Sequence, residues 1–151
     1  MIKLKSVSDV QQLMEWRAEV IRAVFDREPA RELLEANSLY YAQHLADGSH
    51  LAVVAGCDGA ECGCGAVCFT EELPSPDNPS GLCAYLMNIY VRPDFRGEGV
   101  ATAVVKHLIK EALKRNCNKI YLETTAQAKP VYEALGFADM PDMMKYYGKK
   151  F

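Results

Sequence analysis

The chain lacks a basic excess: 17 lysines and arginines face 20 aspartates and glutamates, a formal charge of −3 over 151 residues. A nucleic-acid surface needs lysine and arginine clustered on one face, so no nucleic-acid partner is expected. Long apolar runs are missing as well. The longest, Leu82–Val91, carries Asn88 and is far too short to span a bilayer, which excludes a membrane span. No basic patch followed by an apolar core opens the chain, so no secretory leader is expected and a soluble, cytoplasmic protein is. Repeats, low-complexity tracts and interdomain linkers are also missing. With half of the residues apolar, the composition fits a single domain over residues 1–151 with one sizeable core.

Cysteine, by contrast, is plentiful: Cys57, Cys62, Cys64, Cys68, Cys83 and Cys117. Without a secretory leader, thiols rather than disulfides are the expected state. The close set from Cys57 to Cys68 invites a zinc reading, but zinc ligands usually come as two loop-borne pairs. Here Cys62, Cys64 and Cys68 share parity in a segment that reads as a strand, so they are predicted to line one face. Cysteine buries readily, a packed face accounts for them, and no metal is expected. A zinc-dependent interaction domain is the competing reading, and it predicts metal in the purified protein.

The pattern along the chain alternates. Ser8 to Gln11 has the form of a capping box, and Leu13, Met14, Val20, Ile21, Val24 and Phe25 follow at helical spacing. Pro29 can open a second helix, whose apolar face is Leu33, Leu34, Tyr40, Tyr41 and Leu45; Tyr40 and Tyr41 could brush a substrate but are assigned to packing, and Asp47-Gly48 ends the helix. Residues 51–57 and 61–70 flank Asp58-Gly59 as a hairpin. Three prolines make 73–81 a loop. Residues 83–91 form the best strand, closed by Pro93, which has no backbone donor. Val100, Val104, Leu108 and Ala112 then mark a helix over about 99–115, followed by a strand at 119–123, a helix at 127–135 stopped by Gly136, and one or two edge strands within 137–151. A strand–helix–strand crossover of this kind makes its two strands parallel.

Between the best strand and the longest helix stands Arg96-Gly97-Glu98-Gly99-Val100-Ala101. Two glycines let the backbone approach a ligand, and N–H groups at a helix start bind anions, so a diphosphate is the natural occupant. A P-loop is excluded, since Gly99 is not followed by Lys-Ser/Thr. A dinucleotide fingerprint needs a small third residue where Thr102 stands. Glu123 could pose as the acid of that fingerprint, so this alternative is weakened rather than removed.

The run Arg96 to Ala101 matches the Gln/Arg-x-x-Gly-x-Gly/Ala signature of the GNAT superfamily of N-acetyltransferases, and Pro130-Val131-Tyr132-Glu133-Ala134-Leu135-Gly136-Phe137 resembles that family's Leu-Tyr-Glu-x-Leu-Gly-Phe ending. The two signatures are correctly ordered around a strand, and the close likeness covers roughly residues 82–137. The resemblance implies an α/β (α+β) fold: a mixed, mostly antiparallel six- to seven-stranded sheet flanked by about four helices, with a central βαβ unit whose parallel strands splay apart. It implies acetyl-CoA as co-substrate and a primary amine on a small molecule or peptide as acceptor. Amides of Gly97, Glu98, Gly99, Val100, Ala101 and Thr102 would hold the diphosphate, with Arg96 adding charge. Ile89, Tyr90 and Val91 would pair with the pantetheine arm.

Tyr132 matches the tyrosine that protonates the departing thiolate, as a phenol with a pKa near 10 can. The Ile89 N–H would steady the oxyanion. Glu123 is a candidate base, with Glu71 and Glu72 as others, and Asn88 could orient the amine. Thr125 stands where many members carry an asparagine, seven residues before the tyrosine, and its hydroxyl can supply part of that hydrogen bonding. A second reading is an acyl-CoA-binding module that senses or scaffolds without turnover. Dimerisation is frequent in the family, and the segment with Met140, Met143, Met144, Tyr146 and Tyr147 is a candidate surface for it.

Overall fold

The computed structural model describes residues 1–148. In chain order the elements are β1 (Ile2–Val7), α1 (Val10–Phe25), α2 (Arg31–Ala46), β2 (His50–Cys57), β3 (Ala60–Glu71), β4 (Leu82–Val91), a 3₁₀ turn (Pro93–Phe95), α3 (Val100–Lys114), β5 (Lys119–Leu122) and α4 (Lys129–Ala134). The strands lie in one sheet in sequence order, antiparallel except for the β4–β5 pair, which the α3 crossover makes parallel. Among the described residues no helix is long and apolar enough to cross a membrane.

Strand alternation sends side chains to two apolar layers. On one face α3 packs Val100, Val104, Val105, Leu108 and Ala112 against Val53, Ala55, Val67, Ala84 and Leu86. On the other, Leu13, Trp16 and Val20 of α1 and Tyr41 of α2 cover Ala52, Val54, Cys64 and Ala66. Gly65 lets α3 sit this close, because a Cβ there would overlap Val104 Cγ1.

Two bulges set the side-chain directions. Gly56 pairs with Glu61 and Ala55 with Gly63, so Cys62 is an extra residue in β3. The bulge reverses parity and takes Cys62 off the face that the three cysteines were expected to share, leaving Cys64 and Cys68 on it. Cys62 joins the α3 layer, whereas Cys64 lies in the α1–α2 layer and Cys68 contacts Tyr40 of α2. Cys57 and Cys62 are joined as a disulfide, against the expectation of thiols, because the tight hairpin brings their Cα atoms to 6.0 Å. The second bulge is in β4. Cys64 opposes Tyr90 and Ala66 opposes Met87, leaving two β4 residues against Gly65. One of them, Asn88, takes a left-handed backbone with φ 56°.

Four further expectations change. The sheet has five strands rather than six to seven: β1 was not foreseen, and residues 137–148 hold no strand. That segment contains Pro141, and its apolar residues come as adjacent pairs, Met143-Met144 and Tyr146-Tyr147, instead of alternating. The remainder of the expected edge-strand segment, 149–151, lies outside the described residues. The cap of α1 is Asp9 rather than Ser8; its carboxylate accepts from the amides of Gln11 at 2.9 Å and Gln12 at 3.4 Å. Pro29 stands outside α2, which Ala30 caps.

Candidate active site

The β4 exit and the α3 start form the cradle. Gly97 and Gly99 have φ of 79° and 84°, a conformation other residues rarely adopt. Nothing lies within 4 Å of where a Cβ would sit on either, so the space in front of the loop is open. The first bond reaching back to the helix cap runs from Ala103 N to Gly99 O at 3.0 Å, which leaves the amides of Val100, Ala101 and Thr102 without an intrahelical acceptor. Val100, 1% exposed, roots this end of the helix in the core. Glu98 and Arg96 are exposed, and Arg96 Nε donates to Val91 O at 3.1 Å. Donors and helix dipole together give the loop the chemistry to bind an anion.

Next to the cradle the parallel strands part. Pairing of β4 with β5 runs from Cys83–Lys119 to Leu86–Leu122 and stops, while β4 continues through residues 87–91. Among the described residues no strand thus lies beside Asn88, Ile89, Tyr90 and Val91 on that side, and a peptide-like arm can add to their backbone. Arg92 braces the exit: its guanidinium holds Glu19 of α1 at 2.9 and 3.0 Å, donates to Glu61 O at 2.9 Å, and lies 4.4 Å from the Trp16 ring. Sequence reasoning missed this brace, since nothing local to Arg92 announces Glu19.

Tyr132, on α4, buries its ring to 8% exposure in the α3 layer, edge-on to Phe137. Its hydroxyl makes no hydrogen bond to another described residue, and burial raises its pKa, so it stays protonated through the neutral range. Thr125 accepts from Ala128 N at 3.2 Å and so helps turn the chain into α4. Glu123 is exposed and accepts from the Tyr85 hydroxyl at 3.1 Å. Glu72 accepts from Asn78 Nδ2 at 3.0 Å and pairs with Lys119 at 3.1 Å, and both contacts hold its carboxyl below the usual range. It pins the proline loop to β5. Asp77 likewise accepts from Ser75 within that loop.

Two cavities flank the site. One of about 590 Å³ is bordered by β5, α4 and residues 135–145; of the predicted site residues only Tyr132 and Glu123 reach it, and no cradle residue does. The other, about 250 Å³, opens at the β4 bulge between α1 and α2, lined by Arg17, Ala36, Asn37, Tyr40, Tyr41, His50, Met87 and Asn88. Neither Glu71, Glu72 nor Asp77 lines it. Asn88 lines this cleft as sequence reasoning expected for a site residue, and its Oδ1 accepts from Arg17 Nη1 at 2.8 Å. Tyr40 and Tyr41 border the cleft as well as packing.

His50 is 5% exposed; its Nδ1 lies 2.9 Å from the Tyr40 hydroxyl, which also meets Cys68 Sγ at 2.7 Å. Burial, with His44 nearby, depresses its pKa to about 4, and so the imidazole is neutral at pH 7. Because the folded pKa lies below the unfolded one, this contribution to stability is complete above about pH 6.5 and is lost as pH falls towards 4. Urea unfolding at pH 7 and pH 4 should differ by about 3 kcal/mol more in the wild type than in His50→Gln. Among the described residues no group of three or more His, Cys, Asp or Glu converges as a metal site.

Residues 10–137 match the acetyltransferase (GNAT) family. A thialysine N-epsilon-acetyltransferase from Sus scrofa is 26% identical over 102 residues, 54% of this chain and 60% of its own. A ribosomal protein bS18 alanine N-acetyltransferase from Escherichia coli is 39% identical over 67 residues, 42% of this chain and 45% of its own. The chain thus spans about half the length of the curated relatives it matches. Among solved structures, a predicted acetyltransferase from Clostridium acetobutylicum, crystallised with acetyl-CoA, superposes with a TM-score of 0.86 at 26% identity, covering 97% of this chain and 96% of that one. With the open amide cradle, the parted strands and a family match that takes in both, the chain belongs to the acetyltransferase (GNAT) family.

Proposed function

We propose that this protein is an N-acetyltransferase, moving the acetyl group of acetyl-CoA to a primary amine of a small molecule or peptide by direct attack within a ternary complex. The observation that carries the reading is the open, left-handed glycine loop at the start of α3 lying beside the unpaired half of β4. The relatives named above, acting on an amine of thialysine and on a ribosomal alanine, support an amine acceptor. The same reading makes residues 1–151 one acetyltransferase unit working in the cytoplasm, with residues 140–147 as the surface for a homodimer.

Acetyl-CoA supplies an activated thioester. Amides from Gly97 to Thr102 hold its diphosphate, with Arg96 adding charge, and the backbone of Ile89, Tyr90 and Val91 with Thr125 hold the pantetheine. The neutral amine, oriented by Asn88, attacks the acetyl carbonyl. The Ile89 N–H stabilises the oxyanion, the C–S bond breaks, and the Tyr132 hydroxyl delivers its proton to the sulfur. The amine proton leaves through water towards Glu123, an exposed carboxylate at the end of β5.

Thiol release from acetyl-CoA across a broad amine panel tests the reading against a module that binds without turnover, and calorimetry with CoA tests the cradle. Gly99→Val forces a β-branched residue into φ 84°, a conformation costing about 1–3 kcal/mol. CoA affinity should fall by about tenfold or more. Undiminished binding would remove the cradle from the site.

A further inference from the structure

The cleft at the β4 bulge has a feature the acetyl-transfer reading does not use. Arg17 projects from α1 into it, half-buried, with only neutral partners: Nε donates to Asn37 Oδ1 at 3.1 Å and Nη1 to Asn88 Oδ1 at 2.8 Å. Asn37 is itself oriented by donating its amide to Leu33 O at 2.7 Å, which turns its oxygen to the guanidinium. Among the described residues no carboxylate pairs with Arg17; Glu19 is committed to Arg92, and Glu61 to Gln12 and Trp16. A guanidinium carries five N–H donors. Two are used here, and Nη2 is uncommitted.

A half-buried cation fixed by two amides and left without a counter-ion is costly unless something negative joins it. The rest of the cleft is Ala36, Tyr40, Tyr41, His50 and Met87, with no acid and no second cation to neutralise a phosphate dianion. A carboxylate matches the remaining fork of donors in charge and shape. The volume of about 250 Å³ is below the roughly 300–1,000 Å³ of sites for drug-sized ligands. That size suits a molecule like an amino acid, with the aromatic walls and Met87 around its aliphatic part.

We infer that this cleft receives the acceptor, that Arg17 anchors a carboxylate on it, and that the substrates are small amines bearing a carboxylate. The inference rests on the acetyl-transfer reading above. It places the anchored end one side chain from Asn88, at the bulge preceding Ile89, so that the amine end can reach the parting of β4 and β5.

Three probes of matched chain separate the contributions: pentanoate, 5-aminopentanoate and pentylamine, each titrated into the ¹⁵N-labelled full chain with CoA present. Both carboxylates should shift the Arg17 Nε–H resonance with millimolar affinity, whereas pentylamine alone should leave it unmoved. Arg17→Gln should weaken pentanoate binding by about tenfold or more, as loss of a charge-assisted pair requires. If neither carboxylate moves the Arg17 resonance, or if pentylamine binds as well as pentanoate, the inference is wrong. The wild-type comparison stands even where the variant folds poorly. The same spectra report CoA through the amides from Gly97 to Ala101. Silent cradle amides would overturn the acetyl-transfer reading, whereas CoA shifts without a carboxylate response would overturn the Arg17 inference alone.

Discussion

Tyr132→Phe is expected to lower kcat by about 10²–10⁴-fold while leaving the affinity for acetyl-CoA nearly unchanged. The thiolate that departs when the C–S bond breaks is basic, and protonating it as it forms lowers the barrier. Tyr132 suits the role because burial keeps its phenol protonated and its hydroxyl makes no hydrogen bond to another described residue, so the proton is free to give. The same fact supplies the control. Removing an oxygen that holds nothing in the fold should cost little stability, so a variant with wild-type unfolding and a collapsed kcat isolates the chemistry. Thiol-release kinetics on a confirmed acceptor, with urea unfolding alongside, make the measurement; full turnover would end the assignment.

Leu108→Ala should cost about 2–5 kcal/mol, the range for deleting a fully enclosed leucine. Leu108 is 0% exposed in the layer where α3 meets Val53, Val67 and Leu86, and a packed interior of this kind collapses only partly around a void. Against total stabilities of about 5–15 kcal/mol, this is a large fraction, read as a fall in the urea midpoint at unchanged slope. Leu108→Met, which conserves volume, should lose less than about 1.5 kcal/mol. The effect reaches the site as well. The helix whose start carries the free amides is seated by Val100, Val104 and Leu108, so a loosened α3 should also weaken CoA binding.

Much of the site was legible because its parts are local. The cradle is contiguous in sequence, and its requirement for positive φ is written as Gly97 and Gly99. The apolar period of α3 and the prolines of the loop before β4 are likewise one-dimensional signals. The acceptor cleft was not legible, since its walls come from four separate elements: Arg17 on α1, Asn37 and Tyr40 on α2, His50 on β2, and Met87 and Asn88 on β4. Nothing local in the sequence singles out Arg17 or Asn37, and Tyr40 reads first as core. Only a cation left facing neutral amides, visible once the helices are docked, marks them.

What this sequence determined by itself is the order of elements from α1 to α4 and the left-handed glycine loop at the start of α3, because periodicity and backbone freedom depend on neighbours a few residues apart. Tertiary structure decided the rest. The Cys62 bulge sent Cys62 to the opposite side of the sheet from Cys64 and Cys68, the Asn88 bulge and the end of pairing at Leu86–Leu122 opened the strands, and helix packing enclosed Arg17. Register shifts and uncompensated charge are set by which segments meet across the fold, and a linear pattern does not record them.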